Sequence, residues 1–166
     1  LELDGVALLD RVAAALGSVT GQVVLLGEGP VTATGAGLPR LPDPPGLSGP
    51  MAGLAAALRW APGAAWVVCS CDLPRLGARS LSWILEQRAP GRWVILPRTA
   101  DGVLQPLLAV YEPQAAHLVE RALAGHRWGP RHLAGYPSAH CPTVPPELAE
   151  GWTNVNSPAD LRRLGG

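Results

Sequence analysis

Four short stretches of the chain hold residue types that can do chemistry. Cys71-Asp72-Leu73-Pro74 follows the strongest apolar run of the sequence. An aspartate at the end of a buried strand is placed to hold a divalent cation. Mg²⁺ takes one or two carboxylates plus substrate phosphates and keeps waters. The same aspartate could simply cap the next turn. Asp43-x5-Gly49-Pro50-Met51-Ala52-Gly53 stands just before a helical pattern. Its glycines would let backbone approach a ligand, and a helix N-terminus favours anions. A Pro-rich loop with an ordinary helix entry accounts for the same residues. In Trp152-Thr153-Asn154-Val155-Asn156-Ser157-Pro158, two alternating asparagines could offer side-chain carbonyls to a metal or ligand, or organise a turn. Gln105-Pro106-Leu107 by itself reads as the start of a strand.

Other chemistries find little support. Cys69 and Cys71 share a strand face, and with Cys141 they read as reduced, buried structural thiols rather than zinc ligands or a disulfide framework. His117, His126, His132 and His140 lack metal-ligand spacing. Neither GKS nor GxGxxG occurs, and no nucleophile elbow GxSxG surrounds Ser70. All 13 basic side chains are arginine, so no lysine is present to grip a phosphate as a compact point charge. Formal net charge is zero, which argues against a nucleic-acid-binding surface. No apolar stretch approaches the roughly 20 residues of a membrane span. The first residues carry Glu2 and Asp4 and no basic region, so they do not read as a signal peptide. A cytoplasmic protein is expected.

The elements that must position these residues alternate in type. Helical spacing covers residues 6–16, 51–60, 81–87 and 114–124. Short apolar runs at 22–26, 38–41, 65–71, 93–96 and 107–111 read as strands. The run at 65–71 is continuously apolar, which suggests a central strand covered on both faces. Residues 125–143 read as irregular. Ser157 is the expected N-cap of a last helix with Pro158 at its first position. This order predicts an α/β domain with a mostly parallel sheet, whose ligands bind beyond the carboxyl ends of the strands.

Taken in order, these stretches resemble the molybdenum cofactor guanylyltransferases of the MobA type. The family pattern is D-x5-GPLAG, then CDxP, then a Q/H-P-L-x-A-x-Y strand, then NVNTPEDL. The matching residues here are Asp43 to Leu54, Cys71 to Pro74, Gln105 to Tyr111 and Asn154 to Leu161. The resemblance implies a Rossmann-like three-layer α/β/α nucleotidyltransferase fold with a mixed, mostly parallel sheet. It implies transfer of GMP from GTP to molybdopterin, releasing pyrophosphate, with Mg²⁺ as cofactor. Asp72 matches the metal-binding, catalytic aspartate. Asp43, Gly49, Pro50 and Gly53 match the guanine nucleotide site. Gln105, Asn154 and Asn156 match the molybdopterin side, with Asn156 beside the metal. A molybdoenzyme or another cofactor-biosynthesis protein is the implied protein partner.

The departures are specific. The family opens with a strand and the loop L-A-G-G-x-S-x-R-M-G-x-D-K, whose amides cradle the triphosphate; no such run occurs in these 166 residues. Leu1 to Gly5 is similar to the stretch that follows it. The expectation is a single nucleotidyltransferase domain over 1–166 without that first strand and phosphate loop. Because that strand is central in the family, unpaired strand edges and apolar helix faces should be exposed. Leu26-Gly27 stands where the family often has Asn, and Ser157 replaces the usual Thr. Two other readings follow. One is a CTP-using molybdopterin or sugar-phosphate nucleotidyltransferase, although Gln105-Pro106 and Asn154-Val155-Asn156 lean to the guanylyl branch. The other is a catalytically inactive cofactor-binding module.

Overall fold

The computed structural model describes residues 1–164. Its first element is a small hairpin, β1 (Glu2–Leu3) and β2 (Val6–Ala7), paired antiparallel. Asp4 and Gly5 both take positive φ, 53° and 74°. A two-residue loop of that kind matches the twist of antiparallel strands. This turn explains why α1 (Leu8–Gly17) starts two residues later than helical spacing suggests: Val6 and Ala7 are used in the ladder. Arg11 on α1 fastens the hairpin, donating to the Leu3 carbonyl at 2.7 Å and to Asp4 Oδ2 at 3.0 Å.

The main sheet has four strands in the order β5 (Trp66–Cys69), β7 (Leu108–Tyr111), β6 (Val94–Ile95), β8 (Ala139–His140). β7 runs antiparallel to both β5 and β6, while β6 and β8 are parallel. Three of the four strands therefore point one way and β7 alone is reversed. Side-chain alternation divides this sheet cleanly. Val68, Ala109, Tyr111 and Val94 face one cluster with Met51, Leu54 and Leu58 of α2 (Pro50–Trp60) and Leu118, Val119 and Ala122 of α4 (Ala115–Ala124). Leu108, Val110 and Ile95 face the other side, where Leu81 and Ile84 of α3 (Ala78–Glu86) and Val12 of α1 lie. The result is helix, sheet, helix. Tyr111 is fully buried and donates its hydroxyl to the Pro106 carbonyl at 2.8 Å. Burial pushes its phenol far above the ordinary tyrosine range.

β3 (Leu25–Leu26) and β4 (Arg40–Leu41) form a separate parallel pair. α2 packs against both β3 and β5. The expected central place of the 65–71 run is corrected here. Among the described residues β5 pairs only with β7 and forms an edge of its sheet. Its other edge and the other edge of β3 line one cleft of about 1310 Å³, roofed by Leu9, Val12 and Leu16 of α1. Trp66, Val67, Val24 and Leu25 are only half-buried there. The expected exposure of strand edges and helix face thus falls between β3 and β5. Residues 125–143 are less irregular than expected, containing a 3₁₀ turn at Pro130–Gly135 and β8.

Candidate nucleotide and metal site

Asp72 lies three residues past the end of β5. The Ser70 amide still donates to the Leu107 carbonyl at 2.8 Å, so the chain stays in register up to the turn. Beyond it, Leu73 and Pro74 are buried, Leu73 against Leu81 and Trp152. Those anchors leave the half-buried Asp72 at the sheet's carboxyl end. Both of its oxygens are engaged: Ser70 Oγ donates to Oδ1, and Asn154 Nδ2 reaches Oδ2 at 3.4 Å. The Val155 amide donates to the Asp72 main-chain carbonyl at 2.9 Å.

Asn154 arrives there because its neighbours are fastened. Trp152 is buried and packs edge-on to Trp83, with ring centroids 5.5 Å apart. Val155 is 1% exposed. The Asn156 main-chain amide donates to Asp160 Oδ2 at 3.2 Å, in the cap of α5 (Pro158–Leu164). The expected N-cap is present, with Ser157 Oγ accepting from the Asp160 amide at 3.2 Å and donating to Asp160 Oδ2 at 2.7 Å. The asparagine side chain that bonds to Asp72 is that of Asn154. Gln105 lies at the same end of the sheet, two residues before Leu107, and its amide donates to the Pro97 carbonyl at 2.8 Å.

Asp43 follows β4 as Asp72 follows β5. Its Oδ1 lies 3.5 Å from where a Cβ on Gly27 would be, so the β3 turn and Asp43 meet directly. Gly49 caps α2 with φ of 77°, Pro50 occupies the first turn, and the Gly49 carbonyl accepts from the Ala52 amide at 2.9 Å. These residues leave the α2 N-terminus exposed beside the Asp43 loop. Gly53 has a packing duty. A Cβ there would meet Leu26 Cβ at 3.1 Å, so this glycine sets the close approach of α2 to β3.

Among the described residues no three His, Cys, Asp or Glu side chains converge as a metal cage. One carboxylate with a neighbouring amide fits instead a Mg²⁺ held largely by substrate phosphates and water. Burial first, then the charges of Asp72 and Cys71, push the Cys69 thiol up to about 12. Sequence reasoning missed two residues. Ser70, which fixes Asp72, was visible only as a hydroxyl two positions before it. Arg40, whose guanidinium donates to the Gly27 and Gly29 carbonyls at 2.8 and 3.0 Å, gave no signal in the linear pattern.

Residues 1–139 match the family model of the MobA-like NTP transferase domain. A probable molybdenum cofactor guanylyltransferase of Pelotomaculum thermopropionicum is 31% identical over 97% of this chain and 80% of its own length. The solved molybdopterin-guanine dinucleotide biosynthesis protein A of Archaeoglobus fulgidus superposes with a TM-score of 0.75 at 23% identity, covering 98% of this chain and 86% of that one. The 2-C-methyl-D-erythritol 4-phosphate cytidylyltransferase of Thermus thermophilus superposes with a TM-score of 0.70 at 17% identity, covering 98% and 89%. The last two share the nucleotidyltransferase fold, which therefore does not decide the base. Among the described residues no helix is long and apolar enough to cross a membrane.

Proposed function

The chain belongs to the MobA-like NTP transferase family, and from that premise we propose that it transfers GMP from GTP to Mo-molybdopterin, releasing pyrophosphate. It acts in the cytoplasm, where GTP and molybdopterin are its small-molecule partners. The observation that carries this reading is Asp72, oriented through both oxygens by Ser70 and Asn154 at the carboxyl end of β5.

The reaction needs no protein nucleophile. The attacking phosphate of molybdopterin is already largely ionised near neutral pH, so no general base is needed either. Two anionic phosphates must be brought into line, and positioning with charge neutralisation carries most of the acceleration. Asp72 would hold the Mg²⁺, with Asn154 beside it. When bound, that ion neutralises the charge developing on the α-phosphate and the leaving pyrophosphate. The exposed Gly49–Pro50 entry of α2 borders the guanine nucleotide. Asp43 and the Gly27 turn border the base. Gln105 stands at the molybdopterin side.

The test is a pyrophosphate-release assay on the full-length chain with GTP, molybdopterin and Mg²⁺. Release that requires all three supports the transferase. Tight binding of molybdopterin with no release would replace it with a cofactor-binding module.

A further inference from the structure

We propose that Arg98 holds the phosphate monoester of the acceptor; the inference rests on the transferase reading of the site and adds to it a residue outside the motif stretches. Main-chain bonds pin Arg98 at the carboxyl end of the main sheet. Its amide donates to the Pro142 carbonyl at 2.9 Å, and its own carbonyl accepts from the Val144 amide at 2.9 Å. It also bridges to Leu104, the residue before Gln105, while the Gln105 amide donates to the Pro97 carbonyl at 2.8 Å. Arg98 and Gln105 therefore stem from the two limbs of one hairpin.

The ladder fixes the direction of the side chain. Leu104 lies opposite Arg98 in an antiparallel bridge, and Leu96 stands two residues before it. Opposed residues, and residues two apart, share a sheet face. Leu96 and Leu104 both pack into the cluster under α2 and α4, so Arg98 rises from that face. Leu47, from the loop between Asp43 and Gly49, is seated on the same cluster. Arg98 is half-buried; its Nε is enclosed and has no hydrogen-bond partner. Its guanidinium makes none of the ion pairs found among the described residues. Asp101, the nearest acid in the chain, accepts from the Thr99 hydroxyl instead. Enclosed donors ordinarily meet an acceptor, and a bound anion would supply one here.

The order of the strands says which anion. Asp43 follows β4, on the far side of β3 from the cleft, and Asp72 follows β5. β6, which Arg98 extends, stands two strands beyond β5, on the order of 10 Å at ordinary strand spacing. A nucleotide reaching from Asp43 to a metal at Asp72 leaves Arg98 on the opposite side of that metal. In-line attack brings the acceptor phosphate to the α-phosphate from the side away from the leaving pyrophosphate. A phosphate monoester carries nearly two charges at neutral pH. A guanidinium meets two of its oxygens with parallel N–H donors and leaves the third free to attack. With no lysine in the chain, an arginine is the cation left for this task.

Dephosphorylated molybdopterin separates a phosphate contact from a structural role. Equilibrium affinities for molybdopterin, for its dephosphorylated form and for GTP would be measured on the full-length chain and on Arg98→Ala and Arg98→Lys. The wild-type chain should favour the phosphorylated form by about tenfold or more, the worth of one charged hydrogen bond. Arg98→Ala should bring that ratio to within about twofold and leave GTP affinity standing. Arg98→Lys keeps the charge and loses the fork, so it should lower the ratio part of the way. Equal weakening of both forms would make Arg98 structural. A loss of GTP affinity with the ratio kept would move its contact to the nucleotide. Either result, or an unchanged ratio, overturns the assignment. Should Arg98→Ala fail to fold, the ratio in Arg98→Lys decides alone. Pyrophosphate release on the same samples keeps the two readings apart. A chain that favours the phosphorylated form through Arg98 yet releases no pyrophosphate supports the phosphate contact and removes the transferase. A chain that turns over GTP while Arg98→Ala keeps the wild-type ratio removes Arg98 alone.

Discussion

Asp72 follows β5 and Asp43 follows β4, the partner of β3, yet β5 and the β3–β4 pair stand on different supports. β5 runs four residues in register with β7, and every side chain of β7 is buried. Behind it Ile84, Ile95 and Val110 are fully enclosed. β3 has two paired residues, one partner strand and half-buried side chains. The carboxylate assigned to the metal thus rests on a close-packed layer, where a small displacement has a cost. The carboxylate assigned to the base rests on a short pair with an open flank, held by Arg40 and by the closeness of Gly53 to Leu26. Metal coordination tolerates little misplacement, whereas a base site can adjust more cheaply.

The sharpest test of this contrast is Asp72→Asn. It should lower kcat by on the order of 10²–10³, the scale of losing one preorganised electrostatic contact, and leave the melting temperature unchanged. Lost activity with a lowered melting temperature would make Asp72 a structural cap. Next in size are two truncations, one in each region. Ile84→Ala should cost about 3 kcal/mol in denaturant unfolding, as buried large-to-small changes do. Val24→Ala, half-buried beside the cleft, should cost less than about 1 kcal/mol. Equal costs would erase the distinction between the two supports. Gly53→Ala should cost about 1–3 kcal/mol through overpacking against Leu26. It should also weaken GTP binding more than metal binding. Asp43→Ala should raise the KM for GTP by about tenfold, the worth of one hydrogen bond to charge, with kcat nearly kept.

The smallest effect concerns α5. Asp160 accepts from the Ser157 hydroxyl and from the Asn156 and Ser157 amides, and these bonds hold its carboxyl below the ordinary value of 3.8. A depressed carboxyl stabilises the folded state above its unfolded value and loses that contribution as pH falls through the folded one. Fraying of 158–164, followed by amide exchange, should therefore begin only below about pH 4. Fraying that sets in near neutral pH would remove Asp160 as the cap.

The sequence was legible where side chains carry the information. The run at 65–71 announced a strand covered on both faces, and Val68 and Val67 do pack into different clusters. It could not announce how many edges are paired, because ladder bonds use main-chain groups that every residue shares. The same limit hid β8 within 125–143. The helix read from residue 6 ignored the Asp4-Gly5 turn, a local signal outweighed by apolar spacing. At the site, Asp72 and Asn154 lie 82 residues apart, and only the burial of Trp152 and Val155 brings them together. Asn156 shares the pattern of Asn154 yet follows the helix cap. The closeness of Gly53 to Leu26 had no signature in the linear pattern. Arg40 had no motif at all, since its partners are carbonyls.

The link between Asp72 and Asn154 also sets a time. On a translating ribosome β5 emerges long before the asparagine that orients its aspartate. At about 5–20 residues per second, the 82-residue separation corresponds to roughly 4–16 s of synthesis. During that interval the nascent chain has a loosely held carboxylate and an unfinished active centre. On the proposed reading of Asp72, cation binding and turnover would become available only once Trp152, Asn154 and Val155 have cleared the exit tunnel and docked.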